Sequence, residues 1–131
     1  MVFPTSPNLE PRVGGFTFAK LAIQAFKTHN PTLEDPCTLI FTGATAALRG
    51  GARLSVFAAG SFALRALSQS LAREFHPQGI HVAHAIIDGQ IDTERIRSRM
   101  GSSANKDNAS RLDPEEIAKV CFLLIRSMSK D

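Results

Sequence analysis

The sequence has no tyrosine and no tryptophan among its 131 residues. Chemistry that needs a phenolic hydroxyl as proton donor is therefore excluded for this polypeptide acting alone. Cysteine is also scarce, because Cys37 and Cys121 are the only two and lack the paired spacing of a metal site. Both cysteines lie in apolar stretches, so they are predicted to be buried, reduced thiols of an intracellular, cytoplasmic protein.

Long apolar runs and strong charge are missing as well. No stretch approaches the roughly 18 apolar residues that a transmembrane helix needs, so no membrane association is expected. The opening MVFPTSPNLEPR has three prolines and no apolar run, which is unlike a signal peptide. The net charge is only +3. The densest basic group, Arg95, Arg97 and Arg99, could meet a phosphate, but we interpret it as a solvated helix face and expect no nucleic-acid partner.

Hydrophobic residues make up 44% of the chain and charged residues 21%, which is typical of a globular domain. We predict an irregular lead-in at residues 1–11 and one α/β domain at residues 12–131. Helical periodicity, short branched apolar runs and breaks at proline or glycine predict helices at 12–29 and 54–75, with strands at 37–43 and 80–87. An alternation of this kind implies a parallel sheet with right-handed crossovers. The sheet is small, with about two strands and three main helices around it.

The remainder of the chain is predicted to be less regular. Residues 88–100 indicate a turn with one short helix, and the polar stretch 101–110 indicates a mobile loop. The last helix is predicted to begin at DPEE, with Asp113 as the N-cap and Pro114 in the first turn. Its apolar face is predicted to contain Ile117, Val120, Cys121 and Leu124.

The stretch TLIFTGATAALRGG, residues 38–51, superficially resembles a nucleotide-binding loop. A dinucleotide fingerprint needs closely spaced glycines with a helix starting inside the loop. Here alanine occupies position 47 and arginine occupies position 49, between Gly43 and Gly50. An acidic residue about twenty positions later is also missing, because that region is predicted to be helical. We therefore do not interpret this stretch as a phosphate-binding loop.

Together with FAAGSFALRALSQSLAREFHPQGIHVAHAIIDGQIDT, this stretch resembles the later half of a short-chain dehydrogenase/reductase. The resemblance covers about residues 12–125 and rests on the order and spacing of the segments. It implies part of a doubly wound, Rossmann-like sheet of about seven parallel strands, of which this chain resembles the fifth and sixth. The first half, with the Gly-rich loop and the adenosine pocket, has no counterpart. The resemblance therefore implies a truncated protein with an incomplete Rossmann-like α/β fold.

The family's catalytic residues do not carry over onto this sequence. The tyrosine position falls on Phe57, and the lysine position four residues later falls on Ser61. The serine position falls on Ala44, with Thr45 as the nearest hydroxyl. Family catalysis needs an acidic phenol whose pKa is lowered by a neighbouring ammonium group. A phenyl ring and a serine provide neither, so the usual redox mechanism is predicted to be impaired.

The resemblance also bears on cofactors and partners. It places Gly89, Ile91 and Thr93 where the family contacts a nicotinamide carboxamide, so it implies NAD(P). No cofactor is expected for the isolated chain, because the cofactor-binding half is missing. In the family, the helices that correspond to 12–29 and 54–75 form a four-helix dimer interface. We therefore expect a homodimer, or association with a related family member, through these two helices.

Two enzymatic alternatives remain open. A partner chain could complete a reductase, or the chain could catalyse a non-redox dehydration, isomerisation or cyclisation. For the second, the candidates are Thr45, Asp88, Asp92 and Thr93, because ligands bind at the carboxyl ends of parallel strands. Asp88 and Asp92 could form an acid/base pair or could simply cap turns.

Two further motifs have plain structural interpretations. His81 and His84 are three residues apart on a strand, so they point to opposite faces and cannot share a metal ion. No metal site is therefore expected, and one of the two histidines is predicted to be a hydrogen-bonded core residue. Ser61 lacks the surroundings of a nucleophile elbow and is interpreted as a small residue that allows close helix packing.

Overall fold

The computed structural model describes residues 10–100 and 111–126. The predicted lead-in up to residue 9 and the predicted mobile loop at 101–110 lie outside the described residues. The described helices are α1 (Glu10–His29), α2 (Ser55–Phe75), α3 (Glu94–Met100) and α4 (Pro114–Arg126). The described strands are β1 (Cys37–Ala44), β2 (Ile80–Ile87), β3 (Gln90–Ile91) and β4 (Arg111–Leu112).

The principal sheet consists of β1 and β2, which run parallel to each other. Their register is continuous, from the pair Cys37 and Ile80 at one end to the pair Ala44 and Ile87 at the other. The connection between them contains α2, so the unit is the βαβ crossover that the sequence predicted. The prediction of a small α/β unit with a two-stranded parallel sheet is thereby confirmed.

The hydrophobic core lies where α1 and α2 pack against the sheet. Its buried members come from α1, α2, β1 and β2, and Ile80 is completely inaccessible to solvent. Alternation along the strands directs every second side chain to this core. The core cluster contains Ala19, Ile23, Leu39, Phe41, Phe75, Ile80 and Val82.

Gly79 ends the short 3₁₀ turn His76–Gln78 and starts β2 in a conformation that requires glycine. Its φ is 75°, in the left-handed region. A Cβ atom here would lie 2.7 Å from the backbone of Pro31, which cannot move away easily. The close approach brings the Gly79 carbonyl to the Cys37 amide at 3.0 Å, where β1 begins.

The C-terminal part packs less tightly than the first part. The predicted N-cap is confirmed, because the Glu115 amide donates to Asp113 Oδ1 at 2.8 Å. Yet no side chain of α4 is classed as buried. Of the predicted apolar face, Ile117, Cys121 and Leu124 are half-buried, whereas Val120 is 53% exposed. Ile117, Val120 and Cys121 nevertheless all line a cavity between α4 and β2, so the predicted apolar face is confirmed for these three.

Other predictions need smaller corrections. Helix α1 begins at Glu10, two residues before the predicted start. The strands β3 and β4, which pair with each other in parallel, were not predicted. Both cysteines are free, but they are half-buried rather than buried. Within residues 10–100 and 111–126, every helix is too short or too polar to cross a membrane.

Candidate functional site

A groove of about 380 Å³ opens at the carboxyl ends of β1 and β2, and we call it the crevice. Open α/β sheets bind their ligands at this edge. The crevice includes five of the positions that the family resemblance identified, namely Ala44, Phe57, Ser61, Gly89 and Ile91. Among the described residues, it is lined by Thr42, Gly43, Ala44, Phe57, Ser61, Leu64, Ile87, Gly89 and Ile91.

The side chains of α2 that line the crevice are mostly apolar. Phe57 is 39% exposed, and its ring occupies the position that resemblance assigns to a proton-donating phenol. Ser61 is only 7% exposed, and its hydroxyl donates to the Phe57 carbonyl at 2.7 Å. This geometry agrees with the interpretation of Ser61 as a small residue for close packing. Neither side chain supplies an ammonium group or an acidic proton.

The side chains of Thr45 and Asp88 meet across the ends of the two long strands. The Thr45 hydroxyl donates a hydrogen bond to Asp88 Oδ1. Thr45 begins the 3₁₀ turn after β1, and Asp88 is the first residue after β2. The parallel register brings the two together, since Ala44 and Ile87 are the last pair of the ladder. Of the four predicted candidates, these two form a pair.

Asp92 and Thr93 are engaged elsewhere. Asp92 accepts hydrogen bonds from Arg97 Nε at 2.9 Å and Arg97 Nη2 at 2.8 Å, and from Arg111 Nη1 at 3.3 Å. The hydrogen bonds from Arg97, above all, hold the pKa of the Asp92 carboxyl below its ordinary value. The Thr93 carbonyl accepts the amides of Ile96 and Arg97, so Thr93 starts α3. Asp88 and Asp92 therefore have different hydrogen-bond partners, and their role as an acid/base pair stays a prediction.

His84 packs against Gly43 of the crevice. Its contact with Ser68 agrees with the prediction of one hydrogen-bonded histidine, although His84 is half-buried rather than fully in the core. A Cβ atom on Gly43 would overlap the His84 ring, so the glycine provides the space for the imidazole. His84 Nδ1 is 3.2 Å from Ser68 Oγ, which itself donates to the Arg65 carbonyl at 2.7 Å. Because the Ser68 hydroxyl donates its hydrogen to the Arg65 carbonyl, its oxygen is placed to accept from His84 Nδ1, while His84 Nε2 is buried.

The two histidines differ in their surroundings, as the alternation of a strand predicts. His84 pairs in register with the core residue Phe41, whereas His81 pairs with Thr38 on the opposite face. Burial lowers the pKa of both imidazoles, with smaller contributions from Arg65 at His84 and from His76 at His81. Among the residues that the structure describes, no cluster of His, Cys, Asp and Glu could hold a metal ion.

The βαβ unit and its crevice define the class, an incomplete Rossmann-like α/β fold. A protein-family model described as "Enoyl-(Acyl carrier protein) reductase" matches residues 17–130, which is most of the chain. The chain belongs to this family of short-chain dehydrogenase/reductases, so the resemblance found in the sequence is confirmed. A comparison with curated proteins gave no significant match.

Proposed function

We propose that this chain is a short-chain dehydrogenase/reductase-like protein that does not perform the family's carbonyl–alcohol redox reaction alone and acts through association. The observation that carries this proposal is the composition of the crevice. Phe57 and Ser61 line the crevice, and by resemblance they correspond to the family's groups that donate and polarise the proton. An oxidoreductase relationship is given by the family itself.

The chemistry of the missing groups explains the expected loss. Reduction of a carbonyl requires a proton at the oxygen as hydride reaches the carbon. The Phe57 ring has no proton to donate, and the Ser61 hydroxyl already donates to the carbonyl of its own helix. No phenol can replace them from elsewhere, because the chain has no tyrosine.

The residues also fit NAD(P) poorly. Gly89 and Ile91 line the crevice, but Thr93 is not among its lining residues and instead starts α3 through its carbonyl. The family's carboxamide contacts are thus only partly present. We therefore propose that the isolated chain holds no nicotinamide cofactor.

The exposed faces of α1 and α2 support association. Phe16 is 58% exposed, Phe18 63%, Leu21 59% and Phe62 44%. Large apolar side chains grouped on neighbouring helices are typical of a surface that another protein covers. We propose that this surface pairs with a second copy or with a related family member.

Native mass spectrometry of the purified chain tests the association. We expect a dimer at micromolar concentration, and Leu21→Asp should convert it to a monomer because a carboxylate cannot be buried unpaired in the interface. The matched control is Leu123→Asp, which alters an equally exposed leucine on α4 and should leave the dimer intact. A wild-type monomer, or equal effects of both variants, would contradict the proposed surface.

Titration with NADH and NADPH tests the catalytic part of the proposal. We expect no rise in melting temperature with either coenzyme and no coenzyme oxidation in the presence of carbonyl compounds. Turnover by the chain alone, free of any partner, would overturn this part whatever its oligomeric state.

A non-redox reaction is the second candidate, and the Thr45–Asp88 hydrogen bond favours it. The carboxylate of Asp88 lies at the ligand-binding edge and could remove a proton, while the Thr45 hydroxyl orients it. If a substrate for dehydration or isomerisation is found, Asp88→Asn should abolish turnover. The control Asp92→Asn should act on KM or stability rather than on kcat, because Asp92 is engaged by arginines.

A further inference from the structure

The short strands β3 and β4, beside the crevice, are held together by backbone hydrogen bonds and by ion pairs. The strands β3 and β4 are only two residues long each. The Asp92 amide extends their ladder by donating to the Leu112 carbonyl at 2.9 Å. The Asp92 side chain then binds Arg97 on α3 and Arg111 on β4. One residue thus connects three elements.

The charges in this cluster are partly removed from water. The Arg111 side chain is 6% exposed and that of Asp92 is 25% exposed, whereas Arg97 is 61% exposed. Charge-assisted hydrogen bonds of this kind are about twice as strong as neutral ones. Loss of the carboxylate charge would also remove a counter-ion from the buried Arg111 guanidinium.

The β3–β4 pair stands beside two cavities. Ile91 of β3 lines the crevice. Its register partner Leu112 lines a second cavity of about 340 Å³, which lies between β2 and α4. Ile87 at the end of β2 borders both cavities. The position of this short ladder therefore affects the shape of both.

We propose that the charged carboxylate of Asp92 is a switchable tie that holds β3 to β4. When the carboxylate is neutralised, the short ladder separates and both cavities change shape, while the β1–β2 core stays folded. This conformational device goes beyond the proposed function and does not depend on it. Two-residue strands bury too little to stay paired by themselves, so the charge is what stabilises them.

The direction of the pH dependence follows from the groups around Asp92. Arg97 faces it from α3 and Arg111 from β4, and Glu94 of α3 acts on Arg97. The two arginines lower the pKa of Asp92 in the folded chain. The tie is therefore intact above the ordinary aspartate pKa of about 3.9 and is lost as the pH falls through the lower folded value.

Amide hydrogen exchange of the full chain, measured residue by residue by NMR, tests the tie. We expect Asp92→Asn to lower the protection factor of the residue 92 amide by about tenfold or more, because a change of this size corresponds to the loss of a hydrogen bond to a charged group. The β2 amides that bond to β1 should keep their protection. The matched control is Glu116→Gln, which removes an exposed ion pair with Lys119 at 2.6 Å and should change neither region.

A second variant, Arg97→Gln, keeps the contact with Arg111 and should give a smaller loss than Asp92→Asn. The proposal is overturned if the residue 92 amide keeps its protection within about twofold in both variants. It is equally overturned if β2 loses protection in parallel with residue 92, because the tie would then belong to the core.

Discussion

The two halves of the molecule are stabilised by different physics. Helix α2 buries five residues against the β1–β2 sheet and α1, whereas no residue of α4 is buried. The C-terminal elements rely instead on the Asp92 ion pairs and on the Asp113 cap. Apolar burial is non-directional and does not depend on the protonation of a side chain, whereas charge pairs are sensitive to pH and, where exposed, to salt. Perturbations of the two halves should therefore differ in size and in their dependence on conditions.

The largest expected effect comes from deleting a core side chain. Leu39 on β1 is 5% exposed, and Leu39→Ala should lower the free energy of unfolding by about 2–5 kcal/mol, measured by urea denaturation. The matched control Leu123→Ala changes a leucine of α4 that is 63% exposed, and we expect less than about 0.5 kcal/mol. Similar losses at the two positions would mean that α4 is as well packed as the core.

A smaller effect is expected where β1 passes the His84 ring. Gly43→Ala should cost about 1–3 kcal/mol, because the added methyl group overlaps the imidazole and the ring must move. Gly50→Ala is the control, since a Cβ atom there meets nothing within 4 Å. A reversal of the order, with Gly50→Ala more harmful in thermal melts, would show that His84 does not pack against Gly43.

The smallest effect on stability is expected on acidification. The two halves should respond to it at different pH values. Because burial lowers the pKa of His84, the unfolded chain takes up its proton first as the pH falls below about 6.5. Core stability should thus begin to decline between pH 7.5 and 5.5, and His84→Gln should reduce that decline in urea midpoints. Part of it should remain, because burial also lowers the pKa of His81. The exposed His29 provides the control, His29→Gln. Asp92 responds only below about pH 3.9, so loss of the β3–β4 ladder at pH 5.5 would contradict this separation.

The strongly patterned elements could be predicted from the sequence. The branched run at 80–87 and the helical periodicity at 54–75 give β2 and α2 with at most one residue of difference. The helix breaks at proline and glycine and the N-cap at Asp113 could also be predicted from the sequence, because their chemistry is local. By contrast, β3 and β4 have two residues each and no periodicity, so only the tertiary contact defines them.

The candidate site was predictable in outline but not in its pairings. The carboxyl ends of parallel strands lie at the same edge of a sheet, which explains why Thr45 and Asp88 could be chosen as candidates from the sequence. Asp92 looked equivalent to Asp88 in the sequence, yet Arg111, 19 residues away, and Arg97 engage it. The space that Gly43 leaves for His84 depends on the register of two strands that α2 separates. No local pattern encodes such a contact.

The register of the long strands has a consequence for how the chain folds. Each ladder pair joins residues 43 positions apart, as Thr45 and Asp88 also are. The chain must lose the entropy of closing that loop before any inter-strand hydrogen bond forms. Formation of the 21-residue helix between the two strands shortens the flexible part of the loop. The pairing of β1 with β2 should therefore follow growth of this helix rather than precede it.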